Sequence, residues 1–281
     1  MKIAFSACPN DTFIFHAWVH GLLPGAPELA VTHADIDTSN DLAERGEFDL
    51  VKVSYAALPW LLEEYALLPS GGAVGRGCGP LVLTGPTGST HPAALAGGRV
   101  AIPSQRSTAN LLFRLWADQL VPGGPGALGQ VLVLPYHQIM TDLAAGRLDA
   151  GLVIHEARFT YQRYGLRPVA DLGQWWEGET GLPIPLGAIV ARRSLGTERI
   201  AELAGFARAS VEYAWARPQA SLEYTRSLVH EPDPAVIAAH TELYVNEFTR
   251  DLGEEGYAAV TALLDRAVLA GLVPKPLGPL R

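Results

Sequence analysis

The chain opens on a short apolar run, Ile3-Ala4-Phe5, of buried-strand length. The turn and cap chemistry of Pro9-Asn10-Asp11-Thr12 follows, and then Phe13, Ile14, Ala17 and Trp18 at helical spacing. Leu29 to Thr38 alternates and predicts a second strand, Leu42 to Arg45 a short helix stopped at Gly46, Phe48 to Val53 a third strand, and Tyr55 to Tyr65 a further helix. Between Ser70 and Pro80 the glycines at 71, 72, 75, 77 and 79 argue against a regular element, and the apolar Leu81-Val82-Leu83 beyond them predicts a first passage between lobes.

The pattern then restarts. Arg99 to Ile102 predicts a strand, Pro103 to Ser107 a turn, and Thr108 opens a helix carrying Leu111, Leu112, Leu115 and Trp116. Gly46-Glu47-Phe48-Asp49 before the Val51 strand matches Gly146-Arg147-Leu148-Asp149 before the Val153 strand. Ser54 closes the first of these strands and His155 the second, so a duplicated unit places both at corresponding rims. Pro122 to Gly126 reads as a surface loop, Val131 to Leu134 as a strand, Gln138 to Ala145 as a helix and Arg167 to Leu172 as a short strand. The run Leu186 to Ala191 predicts a second crossing. Ala204 to Tyr213, Gln219 to Ser227, Pro234 to Val245 and Glu254 to Ala270 read as helices broken at prolines. The expected fold is α/β with two lobes joined by two crossing strands and a substrate cleft between them. Residues 1–84 and 190–281 would form one lobe and 85–189 the other.

Composition narrows the function. At 281 residues the chain exceeds one ordinary core, and 48% hydrophobic with 18% charged residues is the profile of a well-buried globular protein. A net charge of −8, with no Lys/Arg cluster to offset it, argues against a nucleic-acid partner. Cys8 and Cys78 have neither C-x-x-C spacing nor a Cys/His cluster around them, so no metal site is expected. Met1-Lys2 leads straight into a short strand with no apolar export segment, and no stretch approaches the ~18 apolar residues that span a bilayer. A cytoplasmic protein with reduced thiols is the expectation.

His155 is the titratable group in the most telling place. It stands where the apolar run Ala150 to Ile154 stops, and the carboxyl ends of strands are where open α/β sheets hold ligands. It is either a substrate-touching imidazole or a packed histidine at the rim of a core. Glu156, one residue on, is expected on the opposite face, and Asp149 lies too far along the strand to be an assured partner. Asp11 reads as a helix cap, and Trp175-Trp176 as a packing element rather than a stacking platform.

The stretches SACPNDTFIFHAWVHG, VKVSYAALP, SGGAVGRGCGPLV, IHEARFTYQRYGL and TGLPIPLGAIVARR resemble those of the 1,4-dihydroxy-6-naphthoate synthase family of the futalosine route to menaquinone, over nearly the whole chain. The resemblance implies a fold like type II periplasmic binding proteins. It also implies a lyase step that splits cyclic dehypoxanthinyl futalosine to 1,4-dihydroxy-6-naphthoate, with no cofactor. Carried over residue by residue, the proton acceptor is His155, and the substrate-binding positions are Lys52, Val53 and Ser54 with Thr108 and Ala109. Ser107 stands where the family pattern suggests threonine, and the loop at Pro122 to Gly126 is longer than usual. Thr108 and Ser54 could each serve as a plain helix cap or as a ligand to the carboxylate of a small-molecule substrate. A non-catalytic anion-binding protein of the same fold and the related chorismate dehydratase are the alternatives. Oligomeric state is not written in the sequence.

Overall fold

A computed structural model describes residues 1–281, which divide into two compact units: Met1–Gly75 with Pro185–Arg281, and Arg76–Ile184. No helix is long and apolar enough to cross a membrane.

The first unit begins with β1 (Lys2–Phe5), α1 (Pro9–Val19), β2 (Ala30–His33), α2 (Ile36–Glu44), β3 (Leu50–Ser54), α3 (Leu58–Leu61), β4 (Tyr65–Leu67) and β5 (Ala73–Gly75). The second contains β6 (Leu81–Thr84), β7 (Arg99–Ile102), α4 (Thr108–Leu120), β8 (Gln130–Val133), α5 (Tyr136–Ala144), β9 (Ala150–Val153), α6 (Ala157–Thr160), β10 (Arg167–Asp171) and α7 (Leu172–Thr180). The long β11 (Ile184–Arg192) brings the chain back to the first unit, which ends in α8 (Thr197–Ala216), α9 (Leu222–Arg226), α10 (Pro234–Tyr244), α11 (Glu247–Arg250) and α12 (Gly253–Leu269). The first sheet runs β2-β1-β3-β11-β4 with β5 also on β11, and the second runs β10-β6-β9-β7-β8. In each, three strands are mutually parallel and the chain's later or earlier passage adds antiparallel neighbours.

The duplication seen in the sequence is a duplication of wiring. Ile3 pairs with Leu50 and Ala4 with Val51, just as Val100 pairs with Ala150 and Ala101 with Gly151. The Asp49 carboxylate accepts the Lys2 amide at 2.8 Å, and Asp149 accepts the Arg99 amide at 2.7 Å. That Arg99 amide, aided by its guanidinium, holds the Asp149 carboxyl below the usual carboxylate range. Gly46 (φ 63°) and Gly146 (φ 69°) supply the left-handed residue that ends the preceding helix, which is why glycine stands at both. The shared register also corrects one expectation. With Asp49 opposite Asp149 in the repeat, Ser54 corresponds to Ile154 and His155 to Tyr55, so Ser54 and His155 are one step out of phase.

Several boundaries differ from the pattern reading. Asp35 to Thr38, expected in a strand, turn into the start of α2, where Asp37 in the first turn suits the helix dipole. The single helix expected from Tyr55 to Tyr65 is a 3₁₀ turn plus the four-residue α3, because Tyr65 is drawn into β4 to pair with Arg192. The glycine-rich stretch still yields β5, and Leu81 to Leu83 lie in the second unit, where β6 joins β9 and β10. Leu172, expected to end a strand, instead opens α7, and residues 173–180, left without an element by periodicity, complete that helix.

Helix α1 is buried around nearly its whole circumference, from Pro9 through Trp18 apart from His16, because α8, α9 and α10 all pack on it. Its apolar side joins Ile3, Phe5, Leu50, Ile189, Leu203 and Val211 in the core of the first unit. In the second unit Leu83, Ala101, Ile139, Leu143 and Val153 form the core beneath α5. Cys78, also in the second unit, is buried, and that burial pushes its thiol up to about 12. Its folded value exceeds that of the unfolded thiol, ~8.5, so the folded state keeps a proton that the unfolded chain loses. Stability falls by up to ~1.4 kcal/mol per pH unit between those limits. A Cys78→Ala variant, melted alongside the parent from pH 8 to 11, should lack that component of the slope.

Candidate active site

At the carboxyl ends of β1 and β3, a buried polar cluster is set into an apolar unit. Lys52, 4% exposed, donates from Nζ to Asp11 Oδ1 at 2.8 Å and to the Gly71 carbonyl at 3.1 Å. Asp11, 2% exposed, also accepts Ser6 Oγ at 2.7 Å and Asn10 Nδ2 at 2.9 Å. Asp11 is therefore not the helix cap expected from sequence: Cys8 holds the cap position, and the carboxylate turns inward to the lysine. Removing two charges from water is costly, and only this mutual neutralisation with several added hydrogen bonds makes it tolerable. The cluster extends through Asn10 Oδ1 to His240 Nε2 of α10, 3.1 Å away, and the buried Thr12 and Thr225 hydroxyls, 2.9 Å apart, form a separate link between α1 and α9. Ser54 is buried at the end of β3, with its amide on Asn40 Oδ1 at 3.0 Å. Its side chain makes no capping bond to the following turn, so the capping alternative fails for this serine. Val53 is interior to the sheet, paired with Ala188.

In the second unit the cap of α4 is Ser107, whose hydroxyl accepts the Asn110 amide at 3.2 Å. The capping role thus passes from Thr108 to its neighbour. Thr108 and Ala109, both buried, carry the two N–H groups ahead of those the cap engages, at the positive end of a 13-residue helix.

His155 lies two residues beyond β9 with φ 57°, the one non-glycine residue of the chain in the left-handed region. Such a conformation costs on the order of 1–3 kcal/mol and persists where the surroundings hold it, characteristically at functional positions. The Tyr136 ring meets the imidazole edge-on, with centroids 5.5 Å apart and planes at 64°. The Tyr136 hydroxyl donates to Glu156 Oε1 at 2.5 Å. Glu156 is buried and linked to the imidazole's neighbour, contrary to the opposite face expected for it. Strand alternation does not extend through a left-handed residue, and His155 ends it. Asp149 is engaged with Arg99 at the other end of β9, as its position in the strand implied. Trp176 is fully buried with Nε1 on the Pro183 carbonyl at 2.9 Å, and Trp175 donates to Gln119 at 3.0 Å, so both tryptophans are packing elements.

The structure thus groups Lys52, Val53 and Ser54 in the first unit and Thr108, Ala109 and His155 in the second. Pattern reading missed Asn10, His240 and Tyr136, and misassigned Asp11 and Glu156. Asn10 and Asp11 stood in plain view in the CPNDT stretch; a lone tyrosine at a helix start gave no signal.

Residues 1–268 match the family model described as menaquinone biosynthesis. A 1,4-dihydroxy-6-naphthoate synthase of Streptomyces coelicolor is 60% identical over 279 residues, covering 99% of this chain and 96% of its own. The enzyme of the same name from Thermus thermophilus is 46% identical over 281 residues, covering 99% and 98%. Among solved structures, a Candida albicans gene product with the generic periplasmic binding protein fold superposes with a TM-score of 0.72 at 13% identity, covering 98% of this chain and 91% of its own. The match of residues 1–268 to that model, with identity of this order over nearly the full length of both chains, places the chain in the menaquinone biosynthesis family.

Proposed function

We propose that this protein is a lyase that converts cyclic dehypoxanthinyl futalosine to 1,4-dihydroxy-6-naphthoate, with His155 as the general base. The observation that carries the reading is the 60% identity over 279 residues to an enzyme named for that product. Forming the aromatic ring while the sugar-derived fragment departs requires removal of a proton near neutral pH, and imidazole, with an ordinary pKa of ~6.5, suits that task. The left-handed backbone aims His155 away from the alternation of β9, as a group held for chemistry rather than packing would be. Thr108 and Ala109, at a helix N-terminus, suit the substrate carboxylate. Lys52, Val53 and Ser54 are the binding positions of the first unit. The lysine itself spends two of its three N–H donors inside the protein, so it acts there chiefly as a fixed positive charge.

The direct test is to incubate the purified protein with cyclic dehypoxanthinyl futalosine, and separately with chorismate, and to record the naphthoate absorption in the first and the consumption of chorismate in the second. Product from the first alone supports the lyase. Binding without turnover would favour a carrier of the same fold, and turnover of chorismate the dehydratase. Thr108→Val is expected to weaken substrate binding by roughly 10- to 150-fold, since it removes one hydroxyl bond to a charged group, about 1.5–3 kcal/mol. Calorimetric titration that gives the parent affinity would remove Thr108 from the site.

A further inference from the structure

We propose that Tyr136 and Glu156 are positioning residues for His155, an inference that rests on the general-base reading above. A residue with a β-carbon stays in left-handed backbone only where the chain is fixed on both sides of it. Ahead of His155 that fixing is the sheet, since β9 is paired with β6 as far as Val153. Behind it the fixing is Glu156. Its carbonyl accepts the Phe159 amide at 2.9 Å and the Thr160 hydroxyl at 3.2 Å, while its carboxylate accepts the Tyr136 hydroxyl at 2.5 Å.

Tyr136 is the first residue of α5, preceded by Pro135, so its backbone is set by the helix start. Its ring stands edge-on to the imidazole, 5.5 Å between centroids. Three side chains thus close a small circuit: the carboxylate orients the phenol, the phenol's ring limits imidazole rotation, and the backbone joins imidazole to carboxylate. Burying a carboxylate at 6% exposure is unfavourable unless its bonding is used. Here that bonding fixes the ring against which the base turns. The pair touches no reacting atom in this scheme. It holds the imidazole in one orientation, and misplacing a reacting group by about 1 Å is enough to lose ~10²-fold in rate.

A double-mutant cycle separates positioning from a general packing role. Single-turnover rates and KM are measured on the parent, Tyr136→Phe, His155→Asn and the double variant. Tyr136→Phe, which keeps the ring and removes its anchor, should slow the chemical step about 10- to 100-fold with KM changed less than about threefold. It should have no further effect once His155 is asparagine. Effects that multiply in the double variant, or a Tyr136→Phe rate equal to the parent's, would overturn the proposal. If Tyr136→Phe does not fold, Glu156→Gln takes its place in the same cycle with the same two readings. A His155→Asn protein at the parent rate would bring down the general-base reading, and this proposal with it. A slow His155→Asn beside an unimpaired Tyr136→Phe would bring down the positioning role alone.

Discussion

His155→Asn is expected to lower the single-turnover rate by about 10²–10⁴-fold, equivalent to ~3–5 kcal/mol of barrier, while substrate binding and the melting temperature stay close to those of the parent. Asparagine is the informative replacement because of the backbone at this position. With φ at 57°, alanine would add strain of its own, whereas asparagine is among the residues that enter the left-handed region most readily. A loss of rate in the asparagine variant is therefore a loss of the base and not of the fold. The binding contacts assigned to Thr108 and Ala109 are untouched by the change, so the variant should still be titrated by substrate. A histidine that merely packs predicts the reverse: a lower melting temperature and a normal rate in the molecules that remain folded. A fall of less than about tenfold in a folded variant would return this residue to the scaffold.

Asp11→Ala should cost about 3–5 kcal/mol of stability, among the largest single losses available in the chain, because it strands the Lys52 ammonium in the interior. The loss comes less from the missing attraction than from an uncompensated buried charge, with the Ser6 hydroxyl and the Asn10 amide left short of an acceptor as well. Adding Lys52→Met to Asp11→Ala removes the charge, and the double variant should recover part of the deficit despite carrying two changes. Urea midpoints for the single and double variants decide the matter. A double variant less stable than Asp11→Ala would mean that the ammonium remains well accommodated by the Gly71 carbonyl alone.

Most of the sheet framework was legible because it obeys local rules. The strands at Lys2 to Phe5, Arg99 to Ile102 and Ala150 to Val153 are short apolar runs bounded by turn residues, and the two G-x-x-D turns announce the repeat directly. The elements that escaped depend on distant partners. Tyr65 is a strand residue because Arg192 arrives more than a hundred positions later to pair with it. Helix α1 shows little amphipathic pattern because three later helices cover it. The same division holds for the candidate site. His155 could be found from its position after an apolar run, and Thr108 from its place at a helix start. The inward turn of Asp11 is different: a carboxylate in the first helical turn is ordinarily read as an answer to the helix dipole, and only tertiary structure brings a lysine from β3 to meet it. Tyr136 and Glu156 are 20 residues apart and meet only because α5 packs on β9.

The return of β11 has a consequence for how the chain is made. Residues 76–184 are contiguous, and all the strands of their sheet lie within residues 81–171, ahead of β11 in the order of synthesis. The first sheet, by contrast, keeps a gap between β3 and β4 until residues 184–192 emerge to fill it. The nascent chain should therefore gain a protease-resistant middle before its amino-terminal third is secured, so synthesis order and folding order run opposite ways. Until then the edge of β3, Leu50 to Ser54, has backbone groups awaiting a partner, which makes this stretch the one most exposed to pairing with another chain during translation.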